Sequence, residues 1–153
     1  MAISPNVDFT SGQILTATQQ NQFPRGIVAF GTNIVTDASI TSEEVAVTSS
    51  SFTAVANRYY RITYFEPDIA NGTNVTITKI RKASISGSIL QTAYQGITSA
   101  SDKDRTGVTI WVGTLTAGAQ VVVGTILSSA GTAGAGRAAD LMAFILVEDL
   151  GPA

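Results

Sequence analysis

Cysteine and histidine are both absent from this 153-residue chain. Without cysteine there are no disulfides and no thiolate metal centres. Without histidine the usual general base and the commonest transition-metal ligand are missing. Charge is scarce too: 13% of residues are charged, the formal net charge is -2, and Lys79-Ile80-Arg81-Lys82 is the one basic cluster. Nucleic-acid binding needs a concentrated positive footprint, so no nucleic acid is expected as a partner. No apolar run approaches the ~20 residues of a membrane-spanning helix, and no membrane is expected either. Met1 to Thr10 lacks the apolar core of a secretory signal, and the first basic residue is Arg25. The chain is expected to be made in a cytoplasm and to stay there, or to leave as part of a larger particle.

What the chain does have is apolar surface, with 44% hydrophobic residues. Its length fits one domain with an arm. Residues 1–25 form the expected arm and residues 26–153 the expected domain. In the arm, Thr16-Ala17-Thr18-Gln19 fits a capping box. A short helix is predicted from Ala17 to about Gln22, stopped by Pro24. Phe9, Ile14, Leu15 and Phe23 are the arm's large apolar groups. They either pack on the chain's own domain or anchor the arm in a partner.

From Gly26 onward the pattern is β. Strands are expected at Gly26 to Gly31, at Glu44 to Thr48 with Val45 and Val47 on one face, and at Arg58 to Phe65 with Tyr60, Ile62 and Tyr64 on one face. Val75 and Ile77 follow the turn signal Asn71-Gly72. Ile85 and Ile89 lie in a serine-rich stretch. Val108, Ile110 and Val112 alternate with Thr109 and Trp111, and Gln120 to Leu127 is valine-rich. Ser128 to Ala139 is expected as a flexible loop. Short strands at regular spacing predict an all-β antiparallel sandwich or jelly roll.

The last strand is the most informative. In Leu141 to Val147, Leu141, Ala143, Ile145 and Val147 fall on one face and Met142, Phe144 and Leu146 on the other. Neither face suits water, and Glu148-Asp149 is expected to end the strand. One face fits the chain's own core; the other needs a second cover, most simply another subunit. Met142, Phe144 and Leu146 are therefore the expected subunit contact.

Candidate chemistry is thin. Gly131 to Arg137 lacks the Lys-Ser/Thr ending of a phosphate loop. Asp102 and Asp104 alternate with Lys103 and Arg105, which compete for them, so a cation site is not expected. Glu43, Glu44, Glu66, Asp68, Glu148 and Asp149 show no pairing that would place two carboxylates across a cleft. A serine nucleophile has no histidine base. No enzyme activity, no cofactor and no metal are expected. Trp111 is expected to pack at a sheet edge or subunit contact, with a glycan platform as the alternative. Asn71-Gly72-Thr73 and Asn74-Val75-Thr76 match the glycosylation pattern by chance in a turn.

Three segments together resemble one family. Val7-Asp8-Phe9-Thr10-Ser11-Gly12-Gln13-Ile14-Leu15-Thr16-Ala17-Thr18-Gln19-Gln20-Asn21 resembles the N-terminal segment of many small tailed-bacteriophage virion proteins. Arg58-Tyr59-Tyr60-Arg61-Ile62-Thr63 is similar to a strand of their β domain, and Phe144-Ile145-Leu146-Val147-Glu148-Asp149-Leu150-Gly151-Pro152 to their C-terminal ending. The resemblance implies a homotrimeric jelly roll of the tumour-necrosis-factor-like kind, with terminal strands near the threefold axis. It implies a place in the virion and no catalytic residues. Two functions follow as expectations. One is a structural protein on the outside of the particle, a head decoration or fibre-like protein or a minor tail protein. Its arm would dock on the major capsid or tail protein. The other is a tail adhesin whose loops at Asn71 to Asn74, Ser99 to Arg105 and Ser128 to Arg137 bind a host-surface glycan or protein.

Overall fold

The computed structural model of the chain describes residues 12, 14, 16–21, 23–72, 74–96 and 105–153. One short helix, α1 (Ala17–Asn21), precedes twelve strands among them. These are β1 (Gly26–Asn33), β2 (Asp37–Ile40), β3 (Glu44–Thr48), β4 (Phe52–Ala54), β5 (Arg58–Ala70), β6 (Val75–Lys82), β7 (Ile89–Gly96), β8 (Arg105–Thr114), β9 (Gly118–Gln120), β10 (Val122–Ser128), β11 (Ala133–Ala135) and β12 (Ala143–Pro152). No helix among the described residues is long and apolar enough to cross a membrane. The capping box forms as expected: the Thr16 amide donates to Gln19 Oε1 at 3.0 Å and the Gln19 amide to Thr16 Oγ1 at 3.2 Å.

Two antiparallel sheets face each other in an all-β jelly-roll sandwich. The first runs β1-β12-β5-β8, with β2 and β11 continuing the lines of β1 and β12 toward the far end of β5. The second runs β3-β10-β6-β7. A ribbon of β4 and β9 lies beside them, where Phe52 meets Tyr60 at a centroid distance of 6.1 Å. The core lies between the sheets. Tyr60, Ile62, Tyr64, Ile145 and Val147 from the first sheet meet Val47, Ile80, Val122 and Ile126 from the second. Each such side chain contributes roughly 1.5–3 kcal/mol of burial.

Two glycines let backbones come this close. A Cβ on Gly31 would sit 1.9 Å from the Thr48 carbonyl oxygen, so β1 can approach β3 across the gap between the sheets. A Cβ on Gly124 would sit 2.7 Å from the Tyr64 ring, which lies on the β10 backbone.

Several expectations are corrected. The last strand does not stop at Val147. It runs to Pro152, because Glu148 and Asp149 are neutralised by Arg61 and Arg58 of the neighbouring strand. Leu141 lies before that strand, in an isolated bridge with Ala138, and is exposed. Val45 and Val47 do not share a face: the register shifts at Gly124/Thr125, leaving Val45 exposed and Val47 buried. β5 extends past Phe65 to Ala70. The segment expected as a flexible loop contains β11, which is paired on both sides. Ile85 lies outside the strands, whereas Ile89 opens β7. Asn71 ends β5 as a turn residue, but its amide is buried, donating to Thr76 Oγ1 and accepting from Ser128 Oγ.

Candidate assembly interface

The outer face of the first sheet is built in three rungs. The registers place Glu148 opposite both Ile27 and Arg61, and Arg61 opposite Val112. The next rung is Phe30, Leu146, Thr63 and Ile110. The third is Thr32, Phe144, Phe65 and Val108. Residues directly opposite in an antiparallel ladder share a face. The first rung is charged: Arg61 Nε and NH2 donate to the two Glu148 oxygens at 2.7 and 2.8 Å. Hydrogen bonds from Arg61 hold the Glu148 carboxyl below its ordinary value. The other two rungs are apolar apart from their threonines.

Phe144 stands at the centre of this face. Its ring stacks on Phe65 at 5.0 Å and 19° and tilts against Phe30 at 6.0 Å and 32°. Around it opens a groove of about 910 Å³ lined by Phe30, Phe65, Pro67, Met142, Phe144 and Leu146 among others. On edge strand β8, Val108, Ile110 and Val112 are 47%, 51% and 49% exposed. Phe144 and Leu146 are half-buried and Met142 is exposed, whereas Ala143, Ile145 and Val147 are fully buried. The alternation expected for the last strand therefore places Met142, Phe144 and Leu146 on the outer side. The sequence reading did not join Phe30, Phe65, Val108, Ile110 and Val112 to them. The period-2 pattern of β8 was visible, but which of its faces was outermost depends on a pairing with β5.

Of the arm residues, Phe9 and Leu15 lie outside the described residues. Ile14 is 87% exposed, and Phe23 is also exposed. Trp111 packs against the core from β8. Tyr94, on β7, is exposed, while no aromatic occurs among the described residues of the three loops considered for glycan contact.

Several of the acids are paired within the fold. Glu66 is fully buried and receives Arg137 Nε and NH2 at 2.7 and 2.9 Å and the Tyr64 hydroxyl at 2.7 Å. Burial pushes the Tyr64 hydroxyl well above its ordinary value, with Glu66 adding to it. Arg137 also donates to the Val35 carbonyl, and its backbone exchanges two hydrogen bonds with Thr36 Oγ1. Asp68 accepts from the Gly136 amide through its backbone carbonyl. Asp102 and Asp104 lie outside the described residues. Among the described residues no group of three acids is placed to hold a metal ion.

On the outer face of the second sheet, Glu43 accepts from Lys79 at 2.7 Å, from Arg81 at 2.6 and 2.8 Å, and from Thr125 at 2.7 Å. Burial works to raise this carboxyl, but the bonds from Arg81, Lys79 and Thr125 outweigh it and bring it down to about 2. A depressed carboxylate stabilises the fold above its ordinary value of 4.5 and loses that contribution as pH falls toward 2. The melting temperature of Glu43→Gln is expected to lie below that of the unaltered protein at pH 6, and the gap to narrow progressively below pH 4.5 and to close only as pH falls through about 2. A gap independent of pH would show that the charge of Glu43 contributes nothing.

No protein-family model matches the chain, and no curated protein matches its sequence. Solved structures do. The tumour-necrosis-factor protein Eiger from S. frugiperda is 12% identical, covering 84% of this chain and 96% of that one, with a TM-score of 0.47. A chain of the cyanophage Pam1 capsid is 12% identical over 95% of this chain and 99% of that one, with a TM-score of 0.41. The module CsCBM6-3 of Clostridium stercorarium, solved with cellobiose, is 17% identical over 72% of each chain, with a TM-score of 0.37.

Proposed function

We propose that this chain is a non-enzymatic structural protein of a tailed-phage virion. It forms a homotrimeric jelly-roll module on the outside of the particle, attached through its N-terminal arm to the major capsid or tail protein. The apolar outer face of β1-β12-β5-β8 carries the assembly reading. Contiguous exposed apolar surface of this kind marks an interaction site, and the aromatic row around Phe144 is the type of residue that anchors interfaces. The resemblance of the arm and the C-terminal ending to phage virion proteins supports the location.

The reading has a direct test. Light scattering of the purified protein is expected to give three times the 15.9 kDa chain mass. A monomeric mass would sink the assembly claim. Copy number on purified particles then tests the location: many copies on the head fit decoration, and a few at the tail fit a minor tail protein.

Arm docking is tested by truncation. Removing residues 1–15 deletes Phe9, Ile14 and Leu15 but keeps the Thr16 cap and the helix. The shortened protein is expected to keep its mass in solution and to be lost from particles. Normal incorporation would remove the arm from the docking role.

A further inference from the structure

The root of the arm rests on a buried guanidinium. Arg58 opens β5, and its side chain is 5% exposed. Its Nε and NH2 donate to the two oxygens of Asp149 at 2.7 and 2.8 Å. The rest of its reach goes to arm main chain: NH1 donates to the Asn21 carbonyl at 2.5 Å and NH2 to the Phe23 carbonyl at 2.6 Å. Asp149 is itself fixed, because its Oδ1 accepts from the Gly151 amide at 2.9 Å. Arg25, half exposed, lies with Nε 4.0 Å from Asp149 Oδ2.

Asn21 is the last residue of α1. The final carbonyls of a helix have no partner inside it, so this one needs a donor from outside. Arginine suits the task because its N–H groups fan out in a rigid plane, whereas lysine offers its donors from one point. Arg58 thus spans three segments that are distant in sequence: the helix end, the start of β5 and the last strand. Residues Ala17, Gln20, Asn21, Phe23, Pro24 and Arg25 are all exposed. The bonds to Arg58 come from their backbone, so this grip does not depend on which side chains the arm root carries.

The geometry points to a latch: Arg58, held by Asp149, seats residues 17–26 on the body through two main-chain carbonyls and fixes the direction in which the arm leaves it. Release of its two carbonyl bonds frees the arm root while the Arg58–Asp149 pair and the sandwich stay closed, since the hydrophobic core cluster on β5 begins at Tyr60. The inference goes beyond the docking role and holds whatever the arm binds.

The test is hydrogen exchange by mass spectrometry on the full chain carrying Arg58→Lys, which keeps a cation beside Asp149 but cannot reach both carbonyls. Exchange is expected to rise tenfold or more in residues 17–26 and to stay within twofold in residues 59–65 and 143–148. Asp149→Asn, which weakens the hold on Arg58 from the other side, is expected to give the same pattern. No rise in residues 17–26 would overturn the latch. So would an equal rise across β5 and β12, or loss of folding in both variants, since Arg58 would then be a core pair.

Discussion

Replacing Phe144 with Asp is expected to reduce the solution mass from three chains to one while leaving a folded monomer. In an isolated subunit the side chain at 144 points away from the core, so a carboxylate there meets water. At an interface it would stand in the middle of the Phe30–Phe65 row and bring three carboxylates onto buried apolar surface. Each such ion costs about several kcal/mol to desolvate without a partner. The neighbouring residue supplies the control. Ile145 is fully buried in the sandwich, so Ile145→Asp is expected to abolish folding. Light scattering with circular dichroism separates the two outcomes. A Phe144→Asp protein that remains trimeric would remove this face from the interface, and one as unfolded as Ile145→Asp would place it in the core.

Arg137→Met is expected to cost roughly 3–5 kcal/mol, because it strands the Glu66 carboxylate in the interior without its cation. For a domain with the usual ~5–15 kcal/mol of total stability, that loss is severe. The same change removes the donor that holds the Val35 carbonyl. Adding Glu66→Leu to Arg137→Met is expected to recover much of the loss, since a buried pair can be exchanged for apolar groups of similar volume. Urea midpoints of the single and double variants measure this. A single variant within about 1 kcal/mol of the parent would contradict a closed ion pair.

What could be seen beforehand was local. The Thr16–Gln19 box joins residues three apart, and the alternation of Tyr60, Ile62 and Tyr64, or of Ala143, Ile145 and Val147, needs only a period of two. What escaped depends on partners far along the chain. Glu148 and Asp149 look like a strand's end until Arg61 and Arg58, 87 and 91 residues away, are set beside them. Arg137 sits in a glycine-rich stretch that gives no hint of Glu66. The segments Asp37–Ile40, Phe52–Ala54, Gly118–Gln120 and Ala133–Ala135 are too short to show a period. Val45 was assigned to the wrong face because β3 carries one extra residue, Ala46, which shows only in its pairing with β10. For the apolar outer face, the placement of Met142, Phe144 and Leu146 was legible from their own strand. The residues that widen it into a surface come from β1, β5 and β8.

The pairing of β1 with β12 has a mechanical consequence. Gly26 lies opposite Asp149 and Asn33 opposite Ala143, so the first strand begins beside the place where the last one ends. Antiparallel hydrogen bonds run perpendicular to their strands. Tension applied between residues 26 and 153 would therefore open this ladder one rung at a time, as a zipper opens. Tension applied between the arm root and the turn at residues 71–74, at the far end of β5, runs along the strands and loads their rungs together in shear. A body tethered by its arm and dragged from its far end is pulled in its strong direction.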